Sequence, residues 1–464
     1  MKKEDLTELI NKLHPSEYST QPEVLKKHCI DWRGEYIGKS KLIAFPRSVK
    51  KISEILNFCQ KKAIAVVPQG GNTGLVGGGV PRKKGNEIII NLSNLNKIRN
   101  IDLVGNSVTV EGGCILDIIK NKLEKYDLEF PLSMGSRGSC QIGGNIATNA
   151  GGLNVIKYGT IRQNILGIEA VLPDGRIYSS LKNVKKNNTG LDLKHLLIGS
   201  EGTLGIVTAA TVQLFPLPKE KTVLWASFKN FSKVLNFYKY INNKFKDLIT
   251  SFEFMNKESI EVLEKHECKV VNLKKNQCYC LVEFSNFNKI NDFNNFIFTK
   301  IDFNDLDTDD LILSKSDNEN KKLWNYRESI PLAERKEDFI IPHDISIPLT
   351  NISEFVKKTT KSIKKYFYGS KIINFGHLGD NNLHFNVLIS EQQNLSKKSI
   401  CNSINKIVFD NVKIFGGAIS AEHGIGQLRK DELKRNKEVF ELNKMRDIKK
   451  IFDPQNILNP GKVF

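Results

Sequence analysis

The apolar positions of the chain fall into two textures. Between residues 41 and 217, short β-branched runs predict strands at 63–67, 87–91, 107–111 and 165–172. Apolar residues at helical spacing predict helices between them, at 48–61 and 114–126. The run L-F-P-L-P at 214–218 carries two prolines and reads as a boundary. Beyond it Lys, Asn and Phe become prominent, with strands predicted at 222–227, 278–285 and 340–348 and helices at 230–245 and 288–300. The pattern predicts an α+β protein: a polar, helical lead-in over 1–40, a domain over 41–217 and a second α+β domain over 218–464. A chain of 464 residues is long enough for a core in each domain. No segment repeats at the periods typical of solenoids.

Glycine interrupts the first domain in three places. P-Q-G-G-N-T-G-L-V-G-G-G spans 68–79, directly after A-I-A-V-V at 63–67. Glycine weakens strands and helices and is kept where φ must be positive or a ligand meets the main chain closely. A strand that delivers the chain into a loop of bare N–H groups is an anion site, usually for phosphate. A flexible linker would carry Ser and Thr and lack a flanking strand. The spacing matches neither common nucleotide loop. R-G-E-Y-I-G-K-S at 33–40 comes near the ATP loop but has Arg33 where its first glycine belongs. A second segment, P-L-S-M-G-S-R-G-S-C-Q-I-G-G-N-I-A-T-N-A-G-G, covers 131–152, and a third, G-S-E-G-T-L-G-I-V-T, covers 199–208. One phosphate needs one loop. Three loops imply an elongated ligand, best a diphosphate joining two ring systems.

The net charge of +18, from 69 Lys and Arg against 51 Asp and Glu, is spread along the whole chain. It reads as a solvated basic surface; no nucleic-acid-binding module is present, so no nucleic-acid partner is expected. The field would still favour an acidic substrate. No apolar run is long enough to span a bilayer, and M-K-K-E-D is followed by no apolar signal region. These features predict no transmembrane segment and a cytoplasmic protein, at most peripheral at the inner membrane. The eight cysteines, Cys29, Cys59, Cys114, Cys140, Cys268, Cys278, Cys280 and Cys401, form no C-x-x-C pair, which argues against an iron–sulfur or zinc-ribbon module. Reduced thiols are expected, with Cys278 and Cys280 packing on one strand face.

Histidine is scarce, yet three of the eight lie between 377 and 423. In I-I-N-F-G-H-L-G-D-N-N-L-H-F-N-V, at 372–387, two apolar strands flank a turn, and the predicted hairpin sets His377 against His384. S-A-E-H-G-I-G, at 420–426, adds Glu422 and His423 among small residues. Two imidazoles and a carboxylate form a sound set for a divalent metal such as zinc, with a position open to substrate.

The three glycine segments resemble the flavin-binding domain of the vanillyl-alcohol-oxidase superfamily. From about residue 30 to Phe464 the chain is most similar to the FAD-dependent D-2-hydroxyacid dehydrogenase family, above all its D-2-hydroxyglutarate dehydrogenase members. The resemblance implies a PCMH-type FAD-binding domain of two α+β subdomains over 41–217 and an FAD-linked oxidase C-terminal domain over 218–464. Pro68, Gly70, Gly71, Asn72, Thr73, Gly74 and Leu75 would wrap the pyrophosphate. Leu132, Gly135, Ser136, Ser139, Gly143, Gly144, Thr148, Asn149 and Gly152 would line the flavin, and Gly202 and Ile206 would meet it through their main chain. Several relatives tether the flavin to a histidine near the first loop; none stands between Pro68 and Gly79, so non-covalent FAD is expected.

On the same resemblance, His377, His384 and Glu422 would bind the metal that holds the substrate, and His423 would take the hydroxyl proton as hydride leaves for flavin N5. Arg327, in L-W-N-Y-R-E-S-I-P, would meet the substrate carboxylate, and Asn386 would contact the substrate. Two positions depart from the family's pattern. Pro342 stands where its hydroxyglutarate members often carry lysine, with His343 next, and Pro331 stands where threonine is expected. The implied activity is oxidation of a D-2-hydroxy acid to the 2-oxo acid, with electrons passing to a quinone, an electron-transfer flavoprotein or a similar acceptor. D-2-hydroxyglutarate is the first substrate, D-lactate the second and glycolate the third. A homodimer is compatible with this reading. A non-catalytic flavin-binding subunit is the rival of a different class, and such a subunit would have no use for Arg327 and the His/Glu set.

Overall fold

The computed structural model describes residues 2–266, 275–288, 290–302, 306, 308–389 and 396–464. The chain divides into two units, one of residues 1–151, 159–216 and 422–464, the other of residues 152–158 and 217–421.

The first unit holds two main sheets. Ser40–Ala44 leads through the helix Val49–Lys61 to Ala65–Gln69, and both strands pair in parallel with Glu87–Asn91 between them. Flanked by strands on both sides, E-I-I-I-N is buried at every position, which explains its unbroken apolar run. The crossover helix buries Ile52, Ile55, Leu56 and Cys59 along one stripe, and the Ser48 hydroxyl caps it by accepting the Lys51 N–H. The second sheet is antiparallel, in the order Ile98–Asp102, Ser107–Glu111, Ile206–Gln213, Ile165–Val171, Ile177–Ser180, over its own core of Val108, Ile119, Ile142 and Ala210. The helix Val439–Phe452 belongs to this unit too: the Lys449 ammonium donates to the carbonyls of Thr203 and Leu458.

The second unit is one antiparallel sheet with helices on both faces. Its order is Asp310–Leu313, Glu220–Phe228, Cys278–Asn286, Ile249–Asn256, Lys371–His377, Asn382–Leu388, Ile340–Ile341, with Asp344–Ser346 also on Asn382–Leu388. Strand alternation divides the apolar side chains cleanly. Phe228, Phe252, Phe254, Cys278, Cys280 and Phe385 face one core, which the helices Phe231–Phe245, Leu349–Tyr366 and Lys397–Ile414 cover. Trp225, Met255, Ile373 and Phe375 face the other, under Lys257–His266 and Asp317–Glu334.

The α+β character is as the pattern predicts, and the strands at 87–91 and 107–111 match to the residue. The span 340–348 is instead two short strands, because Pro342 has no N–H for the ladder. The helix expected over 288–300 is Phe293–Lys300, and residue 289 lies outside the described residues. Cys278 and Cys280 pack into one core, and no described cysteine is in a disulfide; Cys268 lies outside the described residues.

Candidate active site

In the first unit, the three glycine segments meet. Ala65–Gln69 delivers the chain into the first loop, and Gln69 closes that loop by donating to the Gly79 carbonyl (2.8 Å) while Asn91 donates to the Gly70 carbonyl (3.0 Å). Asn72 takes a positive φ of 55°, its side chain donating to the Ile30 carbonyl. A Cβ on Gly71 would stand 2.0 Å from the Ser139 carbonyl oxygen, so the first and second segments touch main chain to main chain. The third segment touches both: a Cβ on Gly202 would lie 3.1 Å from Pro68, and Glu201 N–H donates to the Ala147 carbonyl (2.8 Å).

Around these contacts the loops leave room. Beside Gly74, Gly135 and Gly144 a Cβ would meet nothing within 4 Å among the described residues. Gln141 Oε1 and Asn145 Oδ1 are buried without a hydrogen-bond partner among the described residues. Open glycine surface and orphaned polar atoms fit a polar ligand lying against the main chain. The Thr148 hydroxyl donates to the Gly144 carbonyl (3.1 Å), and Asn149 adopts φ 51°. Leu132 and Ile206 are buried in the cores beneath, and Ser139 donates to the Ser136 carbonyl. Thr73 and Leu75 are half-buried on the loop. Gly152, at φ 98°, belongs to the second unit.

Sequence reading missed Glu201 here. Its carboxylate accepts the N–H groups of Ile425 and Gly426 at 2.7 Å each, fastening the segment that follows His423. Burial pushes its pKa up, although those two hydrogen bonds oppose the shift. Gln427 N–H also donates to the Val76 carbonyl (2.8 Å), so the E-H-G-I-G stretch is stitched to the first glycine loop. His28 was missed as well. Its Nδ1 lies 2.6 Å from Gln69 Oε1, across 41 residues of sequence.

In the second unit the predicted hairpin forms, from Lys371–His377 and Asn382–Leu388. Strand register decides which side chains meet. Glu253 stands opposite His377, Phe375 opposite His384, and His384 opposite Asp344. Strand alternation then puts Glu253, His377, Phe375, His384, Asn386 and Asp344 on one face of the sheet. The rings of His377 and His384 lie 5.6 Å apart and nearly perpendicular, at 81°. A buried and a half-buried imidazole at this separation are a donor set suited to a divalent metal. Asp344 Oδ1 lies 3.8 Å from His384 Nδ1. Ala421 N–H donates to the Asp344 carbonyl (3.3 Å), and Glu422 and His423 follow directly in the chain.

Glu253 joins these groups, and nothing in its local sequence announced it. Its buried carboxylate receives His377 Nδ1 at 2.8 and 2.9 Å on its two oxygens, and Arg327 Nε and Nη2 at 2.8 Å on one of them. Burial alone would raise its pKa, but His377 and Arg327 outweigh burial and hold it at about 2. Arg327 is itself only 4% exposed, with its guanidinium 4.8 Å from the Phe375 ring centre. Glu253 thus takes two of its five donors. Asn386 is clamped at both ends, donating to both Glu334 oxygens at 2.9 Å and accepting the His343 N–H at 3.0 Å. His343 is a packed core residue whose ring nitrogens lie 2.9 Å from the Phe385 carbonyl and from Asn405 Oδ1.

Comparison with known proteins finds a family match in each part of the chain. Residues 40–180 match the FAD binding domain family, and residues 217–463 match the C-terminal domain of FAD linked oxidases. The chain is 33% identical over 464 residues to the mitochondrial D-2-hydroxyglutarate dehydrogenase of Danio rerio, covering 99% of this chain and 85% of that protein. It is 35% identical over 460 residues to a D-2-hydroxyglutarate–pyruvate transhydrogenase of Saccharomyces cerevisiae, covering 96% and 90%. The fold is shared with p-cresol methylhydroxylase, whose substrate-bound structure superposes with a TM-score of 0.78 at 14% identity over 100% of this chain and 97% of that one. The mitochondrial naming of relatives corrects the expectation of a cytoplasmic protein, peripheral at most to the inner membrane. That expectation rested on the lack of a long apolar segment. No described helix is long and apolar enough to cross a membrane, but a protein of any aqueous compartment meets that criterion. Matching family models across both units, and relatives similar along nearly the whole chain, place this protein among the FAD-dependent D-2-hydroxyacid dehydrogenases of the FAD-linked oxidase family.

Proposed function

We propose that the chain oxidises D-2-hydroxyglutarate, and more slowly D-lactate, to the corresponding 2-oxo acid. The observation that carries this reading is the row of His377, His384 and Glu253 on one sheet face, with Arg327 bound to the same carboxylate. Non-covalent FAD supplies the two-electron acceptor, and a divalent metal, zinc first, supplies Lewis acidity where His377, His384 and Glu422 hold it. Pro68, Gly70–Leu75, Leu132, Gly135, Ser136, Ser139, Gly143, Gly144, Thr148, Asn149, Gly152, Gly202 and Ile206 would bind the flavin. Arg327 binds the substrate carboxylate, and Asn386, held by Glu334 and the His343 N–H, offers its second N–H to the substrate. The substrate loses hydride from Cα and its hydroxyl proton, the latter to His423. A quinone or an electron-transfer flavoprotein then reoxidises the enzyme.

Selectivity for the second carboxylate of hydroxyglutarate should be loose. Pro342 has no charge to offer, and the His343 ring is committed to Phe385 and Asn405. A panel of D- and L-2-hydroxy acids with a dye acceptor tests the reading. Both D-acids should turn over, chelation should abolish the rate with the flavin spectrum retained, and Zn²⁺ should restore it. Full activity in metal-free protein would overturn the metal assignment, and a folded protein that takes up no FAD would overturn the whole reading. His377→Ala should lose metal, whereas His423→Ala should keep metal and flavin and lose mainly the chemical step.

A further inference from the structure

We propose that Glu253 is a positioning residue that holds the His377 imidazole as its Nδ1–H tautomer, leaving Nε2 as the ring's ligand atom for a divalent cation. The inference rests on the metal reading above. Glu253 and His377 are directly opposed in the sheet, so backbone register alone brings the two side chains together. Both carboxylate oxygens lie within 2.9 Å of Nδ1, a two-pronged contact that restricts rotation of the ring. Arg327 contacts the same carboxylate through Nε and Nη2 and keeps it ionised. An ionised carboxylate only accepts hydrogen bonds, so the proton must reside on Nδ1. A neutral imidazole has one N–H, which puts the lone pair on Nε2.

The Arg327–Glu253–His377 chain is therefore an outer support for a metal ligand. Supports of this kind typically contribute ten- to a hundredfold in metal affinity. Glu253 would act on the reaction only through His377.

The direct test is imidazole ¹⁵N NMR of the full-length wild-type protein after chelation. His377 should appear as the Nδ1–H tautomer; an Nε2–H tautomer would overturn the proposal, and no variant is needed for this reading. Glu253→Gln should then lower Zn²⁺ affinity about ten- to a hundredfold in competition with a chromophoric chelator, with flavin content unchanged. Affinity within threefold of wild type in that folded variant would also overturn it. Should Glu253→Gln fail to fold, Glu253→Asp keeps the charge, withdraws the carboxylate by one methylene and is read by the same titration. Wild-type protein that binds no Zn²⁺ yet holds His377 as Nδ1–H would overturn the metal reading and leave the positioning role supported.

Discussion

In the first unit the candidate site is made of main chain brought close to main chain, as where Gly71 backs onto the Ser139 carbonyl and Gly202 onto Pro68. In the second it is made of side chains, set in register on one face of an antiparallel sheet and joined through Glu253. On the function proposed above, the difference reflects the ligand each unit would hold. A long cofactor is gripped along its length by N–H groups, so side chains must be absent. A small hydroxy acid offers few handles, so each must be met by a specific charge or lone pair. Mutations should therefore fail in opposite ways: adding atoms damages the first unit, and removing or exchanging them damages the second.

The largest effect is expected at Gly71. Gly71→Ala must displace the Ser139 carbonyl, a backbone atom that cannot swing aside. The cost should be at least about 3 kcal/mol. The variant should purify colourless or not at all, as flavin absorbance will show. A yellow, stable Gly71→Ala protein would mean that the two segments do not touch.

The charges buried in the two units should both make stability rise with pH, in two separate windows. Glu253 is held at about 2 against an ordinary 4.5, so the stability it contributes is complete above pH 4.5 and is lost as pH falls toward 2. Lys462, in the first unit, is pulled down to about 8 from 10.5, chiefly by burial. Its charged form is therefore a penalty below pH 8, relieved as pH rises from 8 to 10.5. Each effect has an upper limit of about 3 kcal/mol, from 1.36 kcal/mol per pKa unit. Urea unfolding of wild type against Lys462→Met from pH 7 to 10 should show wild type gaining stability relative to the variant. A difference independent of pH would contradict this.

For Arg327→Lys the expected loss in kcat/KM is about ten- to a hundredfold, since the charge survives but the fork does not. Flavin content should not change. The smallest effect has an unusual sign. Gly144 lies within the helix Ile142–Ala147, and a Cβ there meets nothing within 4 Å among the described residues. Gly144→Ala should raise the melting stability of the flavin-free protein by up to about 1 kcal/mol through helix propensity, while weakening FAD binding. Tighter binding of FAD by this variant would remove Gly144 from the cofactor surface.

What could be read from the sequence was local. E-I-I-I-N, the proline boundary near 216 and the three glycine segments each carry their signal within a few residues. The His377–His384 hairpin does so as well, because a turn with apolar flanks fixes its own register. Glu253 was hidden because its meaning comes from a strand partner 124 residues away. Within T-S-F-E-F-M, alternation marks it as facing away from Phe252 and Phe254, but nothing local says what it meets. Glu201 and His28 were hidden in the same way, their partners lying 224 and 41 residues distant. The return of 422–464 to the first unit is held by hydrogen bonds to Glu201, Val76 and Thr203, among others, and leaves no mark in composition.

The central claim is that this chain removes hydride from a D-2-hydroxy acid with the help of a metal held by His377, His384 and Glu422. Its most direct measurement is anaerobic mixing of the purified, flavin-loaded protein with D- or L-2-hydroxyglutarate, monitored by flavin absorbance, before and after chelation. The account predicts rapid bleaching by the D-acid, little by the L-acid, and loss of the D-acid signal on chelation with recovery on adding Zn²⁺. Bleaching at equal rates by both enantiomers, or unaffected by removal of the metal, would contradict it.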